Sequence, residues 1–472
     1  MTRRVVIIGA GPTGLGAAYR LNELGHKDWT VYERNSFVGG LASSRTDSAG
    51  FTYDIGGHVM FSHYDYFDRL VDRMLGDDYS SLMRESWIRM FDRWIPYPLQ
   101  NNIRHLPPQA LLECLEGLVD AQESNPRDTV NFSEWVDSVF GKGIARHFMR
   151  PYNFKVWAHP LEMMSKGWIA ERVSIIDLKK VLANVVFGRD EISWGPNNTF
   201  KYPLYGGTGG LYERFLPYVR DHLQLNREVV AVDHAAKRLR LADGGEDHYD
   251  VLLSAMPIPE LLRRLRPVPQ ALVEAARGLN HSHGLVVGVG IRKPCTTSKC
   301  WTYFPEANSP FYRVTFLSNY SPNIAPEGHT LLLTETSYSE HKRENRADIV
   351  ERVIDGLLAT GLMEPGDRDL VVSTHTEEVE YFYPVPTLTR DRALSRIQPF
   401  LTARNIYSRG RFGAWCYEIS NMDHSVMQGV EVVNSVLLGE PEKTWQSAPA
   451  TAPIVEIETP GRAEDLPEAI EA

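Results

Sequence analysis

Val5-Val-Ile-Ile-Gly-Ala-Gly-Pro-Thr-Gly14, followed by a run from Leu15 to Leu24 and then by Thr30-Val-Tyr-Glu33, decides the fold. Val5 to Ile8 is an unbroken apolar run, the mark of a strand buried on both faces of a parallel sheet. Leu15, Ala18, Leu21 and Leu24 recur at helical spacing, and Thr30 to Glu33 closes the unit as a second strand. Between strand and helix lies GxGxxG. Gly9 permits the tight turn, Gly11 lets the backbone approach a pyrophosphate, and Gly14 allows close packing of helix on strand. The helix amino terminus adds partial positive charge for the phosphates. Glu33 stands where a carboxylate accepts hydrogen bonds from an adenosine ribose.

The next segment points to FAD over NAD. Gly39-Gly40-Leu41-Ala42-Ser43 follows the second strand, and Asp54-Ile-Gly56-Gly57-His58 comes soon after. Two further places of close backbone approach suit an extended cofactor that runs on from pyrophosphate to isoalloxazine.

Outward from this unit the texture changes. Leu111, Leu112, Leu115, Leu118 and Val119 read as one apolar helix face. Trp135, Val136, Val139 and Phe140 read as another, behind an Asn131–Glu134 capping pair. Residues 224–256 read as strand hairpins, with a Gly244-Gly245 turn and a last strand over Tyr249–Ala255. More strands are expected over Leu285–Ile291, Thr330–Thr336 and Val371–Tyr383, with a helix at 349–359, which makes a largely antiparallel sheet. The expected class is α/β: a Rossmann-like FAD-binding domain with an inserted helical domain and an antiparallel β-sheet domain. The expected boundaries are 1–80, 195–258 and 400–445 for the discontinuous FAD domain, 100–190 for the helical domain, and 81–99 with 259–399 for the sheet domain. The Pro-, Ala- and Glu-rich stretch 446–472 has no hydrophobic period and is expected to be disordered.

Composition narrows the partners. At 472 residues, 43% hydrophobic and 23% charged, the chain can bury a large core. A formal net charge of -10 argues against nucleic acid or an acidic membrane as a general partner. Cys114, Cys295, Cys300 and Cys416 are too few and scattered for a disulfide framework, and no zinc-spaced His–Cys cluster accompanies them, so no metal centre is expected. The amino terminus lacks signal-peptide character and no apolar stretch approaches a membrane span, so a cytoplasmic protein is expected.

The runs GAGPTGLGAA, GGLAS, GGHVMFSHY, PYPLQNN, MRPYNFKVWA, ERVSIIDLK, WGPNNTF, GGTGG, PFYRVTFLSNYSP and SRGRFGAWCYEISNMDHS resemble those of the UDP-galactopyranose mutases. The likeness is closer to the eukaryotic, fungal-type branch than to the shorter bacterial one, and extends from about residue 4 to about residue 438. It implies an isomerase that interconverts pyranose and furanose forms of a nucleotide-linked sugar, by attack of reduced flavin on the anomeric carbon, with NAD(P)H a candidate reductant. Such chemistry needs permanently charged, bidentate donors on the diphosphate leaving group, a role that suits arginine.

By this resemblance Arg172 and Arg313 grip the diphosphate, assisted by Tyr320, Tyr383 and Tyr417. His58 sits beside the flavin and helps move a proton at its nitrogen-5. Gly40, Leu41, Ala42, Ser43, Gly57, Val229, Arg411, Asn421 and Ser425 join Gly9, Gly11, Gly14 and Glu33 around the cofactor. Tyr97, Gln100, Asn153, Trp301 and Tyr303 embrace the nucleotide end, Trp157 belongs to the substrate site, Asn421 reaches the sugar, and Asn197 lies on a segment that closes over substrate. Three positions depart from the family pattern. Leu99 replaces an aromatic, Cys416 an arginine and Met422 a polar residue, and these bear on which base and sugar are taken.

Two other classes share the amino-terminal architecture. A flavin amine oxidase or desaturase would want an apolar tunnel in place of diphosphate arginines. A binding module like the Rab GDP-dissociation inhibitors would lack the pyrophosphate glycines, which are present here. The expected partner is a nucleotide-sugar substrate, with UDP-galactopyranose leading and other nucleotide sugars open, as is a homo-oligomer.

Overall fold

All four residues of Val5–Ile8 (β1) are buried, and the strand runs parallel to neighbours on both sides. Pro12–Glu23 (α1) follows the glycine turn, and Trp29–Tyr32 (β2) returns parallel to β1. The computed structural model describes residues 3–123, 128–169, 177–192 and 198–446. Arg172, Asn197 and residues 447–472 of the stretch expected to be disordered lie outside them, while Gln446 ends the short helix Lys443–Gln446.

The parallel sheet has five strands, in the order Ile406–Ser408, Val251–Ser254, β1, β2, Leu223–Gln224. Val5 stands opposite both Val251 and Trp29. This corrects the hairpin reading of 249–255. Val251–Ser254 is buried at every position and leaves its hairpin neighbours to join the parallel sheet. Continuous burial is the signature of a central parallel strand, and it outweighs adjacency to a turn. The helix Met422–Leu438 packs along α1, where Gly429 and Gly16 let the backbones meet. A Cβ on Gly429 would stand 2.0 Å from the Thr13 carbonyl oxygen.

The seven-stranded sheet runs Val371–Pro384, His281–Ile291, Thr330–Tyr338, Arg313–Phe316, Trp301–Tyr303, Ser86–Met90, Arg93–Pro96. Every pairing in it is antiparallel except Trp301–Tyr303 against Ser86–Met90. A separate four-stranded sheet forms from Glu246–His248, Arg238–Leu241, Val229–Asp233 and Leu265–Arg266.

Helices Pro108–Asp120, Phe132–Ile144, Arg150–Trp157 and Leu178–Phe187 occupy the middle of the chain. Asn131 caps the second of these by accepting the Glu134 N–H at 3.0 Å. The face expected on the first helix holds at Leu118, with Leu111 and Leu115 partly buried against the same core, and is corrected at Leu112 and Val119. Ala110, Cys114, Gly117 and Leu118 point inward, while Leu112 and Val119 are 50% and 56% exposed. The two glycines Gly117 and Gly141 draw the helices so close that their backbones touch, and Leu118 packs beside that seam.

One packing feature carries a pH dependence. His281 stacks on Tyr381 at 4.3 Å and meets His283 edge-on at 5.0 Å, and its buried Nε2 has no hydrogen-bond partner among the described residues. Burial, then the His283 and His159 imidazoles, pushes its pKa from 6.5 down to about 4. The unfolded chain therefore binds the proton first, and stability falls as pH drops through the window from 6.5 to about 4. His281→Phe is expected to flatten the decline of Tm across that window in calorimetry. An unchanged slope would exclude His281 as a source of the acid sensitivity.

Candidate active site

A cavity of about 1410 Å3 is lined by the glycine loop and by residues of the seven-stranded sheet. Gly11 forms part of it and shows why that position is glycine. Its φ is -76°, open to any residue, and a Cβ there would meet nothing closer than 3.9 Å. Neither backbone nor packing requires glycine at 11, so the missing side chain leaves room for a ligand. Gly14 differs: a Cβ would stand 1.8 Å from the Gly9 carbonyl oxygen, so its role is internal packing. Glu33 is buried, with one oxygen accepting the Ala10 N–H at 2.8 Å and the other the Asn35 N–H at 2.9 Å. Each oxygen keeps lone-pair capacity for a hydroxyl. Gly39 ties to this loop through its N–H to the Ala10 carbonyl at 2.8 Å, which brings Gly40, Leu41 and Ala42 to the cavity, while Ser43 turns back to the Gly40 carbonyl.

The opposite wall is built around a buried carboxylate, Glu335, that the sequence did not single out. Glu335 is 1% exposed. It accepts two bonds from Arg313, Nε at 2.8 Å and Nη2 at 2.8 Å, one from the Gly57 N–H at 2.9 Å, and one from the Tyr312 hydroxyl at 2.6 Å. Tyr312 in turn lies 3.1 Å from the Tyr383 hydroxyl. Glu335 thus fixes the guanidinium, the Gly57–His58 turn and a cavity tyrosine together. A single acid within the apolar strand TLLLTETSY is the one signal that could have found it, because a carboxylate enters such a strand only when paired.

His58 faces the same cavity, and its buried Nδ1 has no hydrogen-bond partner among the described residues. Burial lowers its pKa, with Arg411 and Arg313 acting in the same direction against Asp54 and Glu335, so the imidazole is neutral near pH 7. Burial also pushes the Tyr383 phenol up to about 12, which keeps it a donor.

Of the remaining expected residues, Tyr97, Trp301, Tyr303, Tyr417, Arg411, Asn421, Ser425 and Val229 line the cavity. Tyr97 and Tyr303 stand 4.9 Å apart, and the Trp301 indole N–H donates to the Tyr303 hydroxyl at 2.7 Å. Arg411 lies over the Tyr383 ring at 4.9 Å. Four others lie behind the wall. Trp157 packs edge-on against Tyr417 and Tyr383, Tyr320 packs against Phe200 and Tyr202, Asn153 donates to the Met149 carbonyl at 2.7 Å, and Gln100 is buried. Arg84, which no motif marked, lines the cavity over the Trp301 ring at 4.8 Å. The departures resolve unequally. Leu99 and Cys416 are each 0% exposed within hydrophobic cores, whereas Met422 borders the cavity. A side chain sealed in the core cannot stack on a base, so Leu99 and Cys416 offer no surface of their own to a ligand in the cavity.

The chain matches the family of flavin containing amine oxidoreductases over residues 12–437. A crystal structure of reduced UDP-galactopyranose mutase superposes with a TM-score of 0.92 at 44% identity, covering 95% of this chain and 96% of that one. Putrescine oxidase bound to putrescine shares the fold alone, with a TM-score of 0.64 at 16% identity over 93% of this chain and 99% of that one. Among curated relatives, a 4,4'-diapophytoene desaturase from Staphylococcus haemolyticus (strain JCSC1435) is 26% identical, over 57% of this chain and 58% of its own length. A zeta-carotene desaturase from Solanum lycopersicum is 35% identical over 28% of this chain and 27% of its own. The chain thus spans little more than half the length of the first of these. The Gly11 cradle, the buried Glu33 and the unpaired His58 Nδ1 fit an FAD, the cofactor of this family. With that cradle and a likeness that extends over nearly its whole length, the chain belongs to the flavin containing amine oxidoreductases and, within them, to the UDP-galactopyranose mutases.

Proposed function

We propose that this protein is a flavin-dependent mutase interconverting the pyranose and furanose forms of a nucleoside-diphosphate sugar, with UDP-galactose as the leading substrate. The observation that carries this reading is the wall facing the flavin cradle. There Arg313, Arg411 and Arg84 stand among Tyr97, Tyr303, Tyr383, Tyr417 and Trp301, a set of charged and phenolic donors. A hydrocarbon in this cavity would offer no acceptor to these donors, whereas the oxygens of a diphosphate offer several.

Reduced FAD supplies the nucleophile for the anomeric carbon. The chain's own residues then have defined tasks. Gly9 and Gly11 admit the pyrophosphate, and Glu33 takes the ribose hydroxyls. Arg313, held by Glu335, presents its remaining Nη donors to the departing diphosphate and stabilises the charge as it develops. Tyr383 and Tyr417 add neutral donors to the same oxygens. Arg172 is assigned the partner role on the diphosphate, and Asn197 the closing segment. Neutral His58 accepts or holds a proton at its unpaired Nδ1. Trp157 backs Tyr417 and Tyr383 and keeps their rings in place. Tyr97, Tyr303 and Trp301 offer faces for the base.

The test is anaerobic incubation of dithionite-reduced protein with UDP-galactopyranose and UDP-galactofuranose, separated by chromatography. Interconversion that disappears on oxidation of the flavin is expected. Equal turnover by fully oxidised protein would overturn the nucleophilic role of the flavin. A yellow, reducible protein without interconversion would remove UDP-galactose as substrate.

A further inference from the structure

The segment that carries Gly57 and His58 ends on His63, which meets the first turn of the helix Met422–Leu438. His63 Nδ1 lies 2.8 Å from Asp423 Oδ2, and the same oxygen accepts the His63 backbone N–H at 3.1 Å. On the other side Asp423 Oδ1 lies 3.1 Å from His424 Nδ1. Those two atoms are close but not aligned. Both are buried, and neither has a hydrogen-bond partner among the described residues. Asp423 is 1% exposed, while the His63 side chain is 38% exposed, so the cluster opens outward through His63. The donor atoms of all three residues lie within 4.8 Å of one another.

The buried carboxylate oxygen and imidazole nitrogen touch as an ion-pair contact without hydrogen-bond alignment, and an electrophile between them takes a lone pair from each. We propose that His63, Asp423 and His424 form a binding site for a divalent first-row transition cation, zinc or cobalt, in the wall of the cavity. Two imidazoles and one carboxylate suit these ions, whereas magnesium and calcium prefer all-oxygen shells. With metal–ligand bonds of about 2.0–2.2 Å, ligands around a tetrahedral ion stand roughly 3.3 Å apart. The contacts of 2.8 and 3.1 Å fall on different oxygens of Asp423, so one of them opens slightly to reach that separation while the other imidazole draws toward the same oxygen. The fourth position remains for water.

Charge sets the strength of the site. One carboxylate offsets half the ion's charge, and the partial positive charge at the helix amino terminus opposes it, so binding is of intermediate affinity. The ion takes the place of the hydrogen between His63 and Asp423, and the imidazole proton moves to Nε2. A bound ion would also cross-link the segment after His58 to the helix carrying Ser425, next to Asn421. That link makes it an inhibitor of any turnover that requires this segment to move.

The test uses the FAD-loaded full chain, stripped with chelator and titrated with CoCl2. One cobalt per chain is expected, with the visible d–d absorption of imidazole coordination, displaced by ZnCl2 and unaffected by MgCl2. His63→Ala and His424→Ala should each weaken cobalt binding by at least about tenfold. His147→Ala, whose imidazole pairs with Glu113 elsewhere, should leave it unchanged. Two results would overturn the site. One is the absence of stoichiometric cobalt binding by the unsubstituted chain. The other is unaltered binding by a His63→Ala/His424→Ala variant that retains wild-type Tm and FAD content. Because His63 is exposed, its substitution should not disturb folding.

Discussion

Arg313→Ala is expected to lower kcat/KM with UDP-galactopyranose by about a thousandfold, the scale set by removing a donor aimed at developing charge. The same change strands Glu335, which then keeps only the Gly57 N–H and the Tyr312 hydroxyl as donors. An uncompensated buried carboxylate costs about 3 kcal/mol, so Tm should fall as well. The two effects can be separated by a second substitution. Arg313→Ala with Glu335→Gln neutralises the stranded charge and should recover most of the lost Tm while turnover stays low. Recovery of turnover in the double variant would mean that Arg313 serves only to neutralise Glu335 and does not reach the diphosphate. Glu335→Gln alone is expected to slow turnover less than Arg313→Ala, because the guanidinium remains but loses its bidentate anchor.

The second large effect comes from one chemical change made at two glycines. Gly14→Ala places a methyl group 1.8 Å from a backbone carbonyl oxygen, and no side chain can yield to relieve it. Loss of soluble, folded protein is expected. Gly11→Ala places the same methyl group in open space with an allowed φ, so the apoprotein should fold with nearly wild-type Tm. The methyl then occupies the volume that the pyrophosphate needs, and FAD affinity should fall by at least about tenfold, or about 1.4 kcal/mol. Flavin absorbance per chain after dialysis against known FAD concentrations checks both. Unchanged FAD affinity in Gly11→Ala would remove the pyrophosphate from that loop.

The pH dependence at His281 and the cobalt titration at His63, Asp423 and His424 address side chains to which the catalytic reading gives no role. The first concerns packing against Tyr381, and the second a juxtaposition across the chain. Neither depends on the identity of the sugar.

The sequence by itself determined the nucleotide cradle, because everything that builds it lies within residues 5–43. Gly11, Glu33 and Gly40 are brought together by two strands, one helix and one turn, and each local propensity points the same way. The helix at 349–359 and the long strands of the seven-stranded sheet were legible for the same reason, since periodicity is a local property. Only the tertiary structure decided the rest. Glu335 reaches Gly57 across 278 residues and Asp423 reaches His63 across 360, and no spacing rule encodes such contacts. The same is true of Val251–Ser254, whose place beside β1 is set by burial on both faces and not by its neighbouring turn. It is true again of Leu99 and Cys416, which occupy family site positions in the sequence but lie sealed in hydrophobic cores. Which side of a wall a residue occupies depends on how whole layers pack, and that is settled by the fold's buried area as a whole, not by any short run of residues.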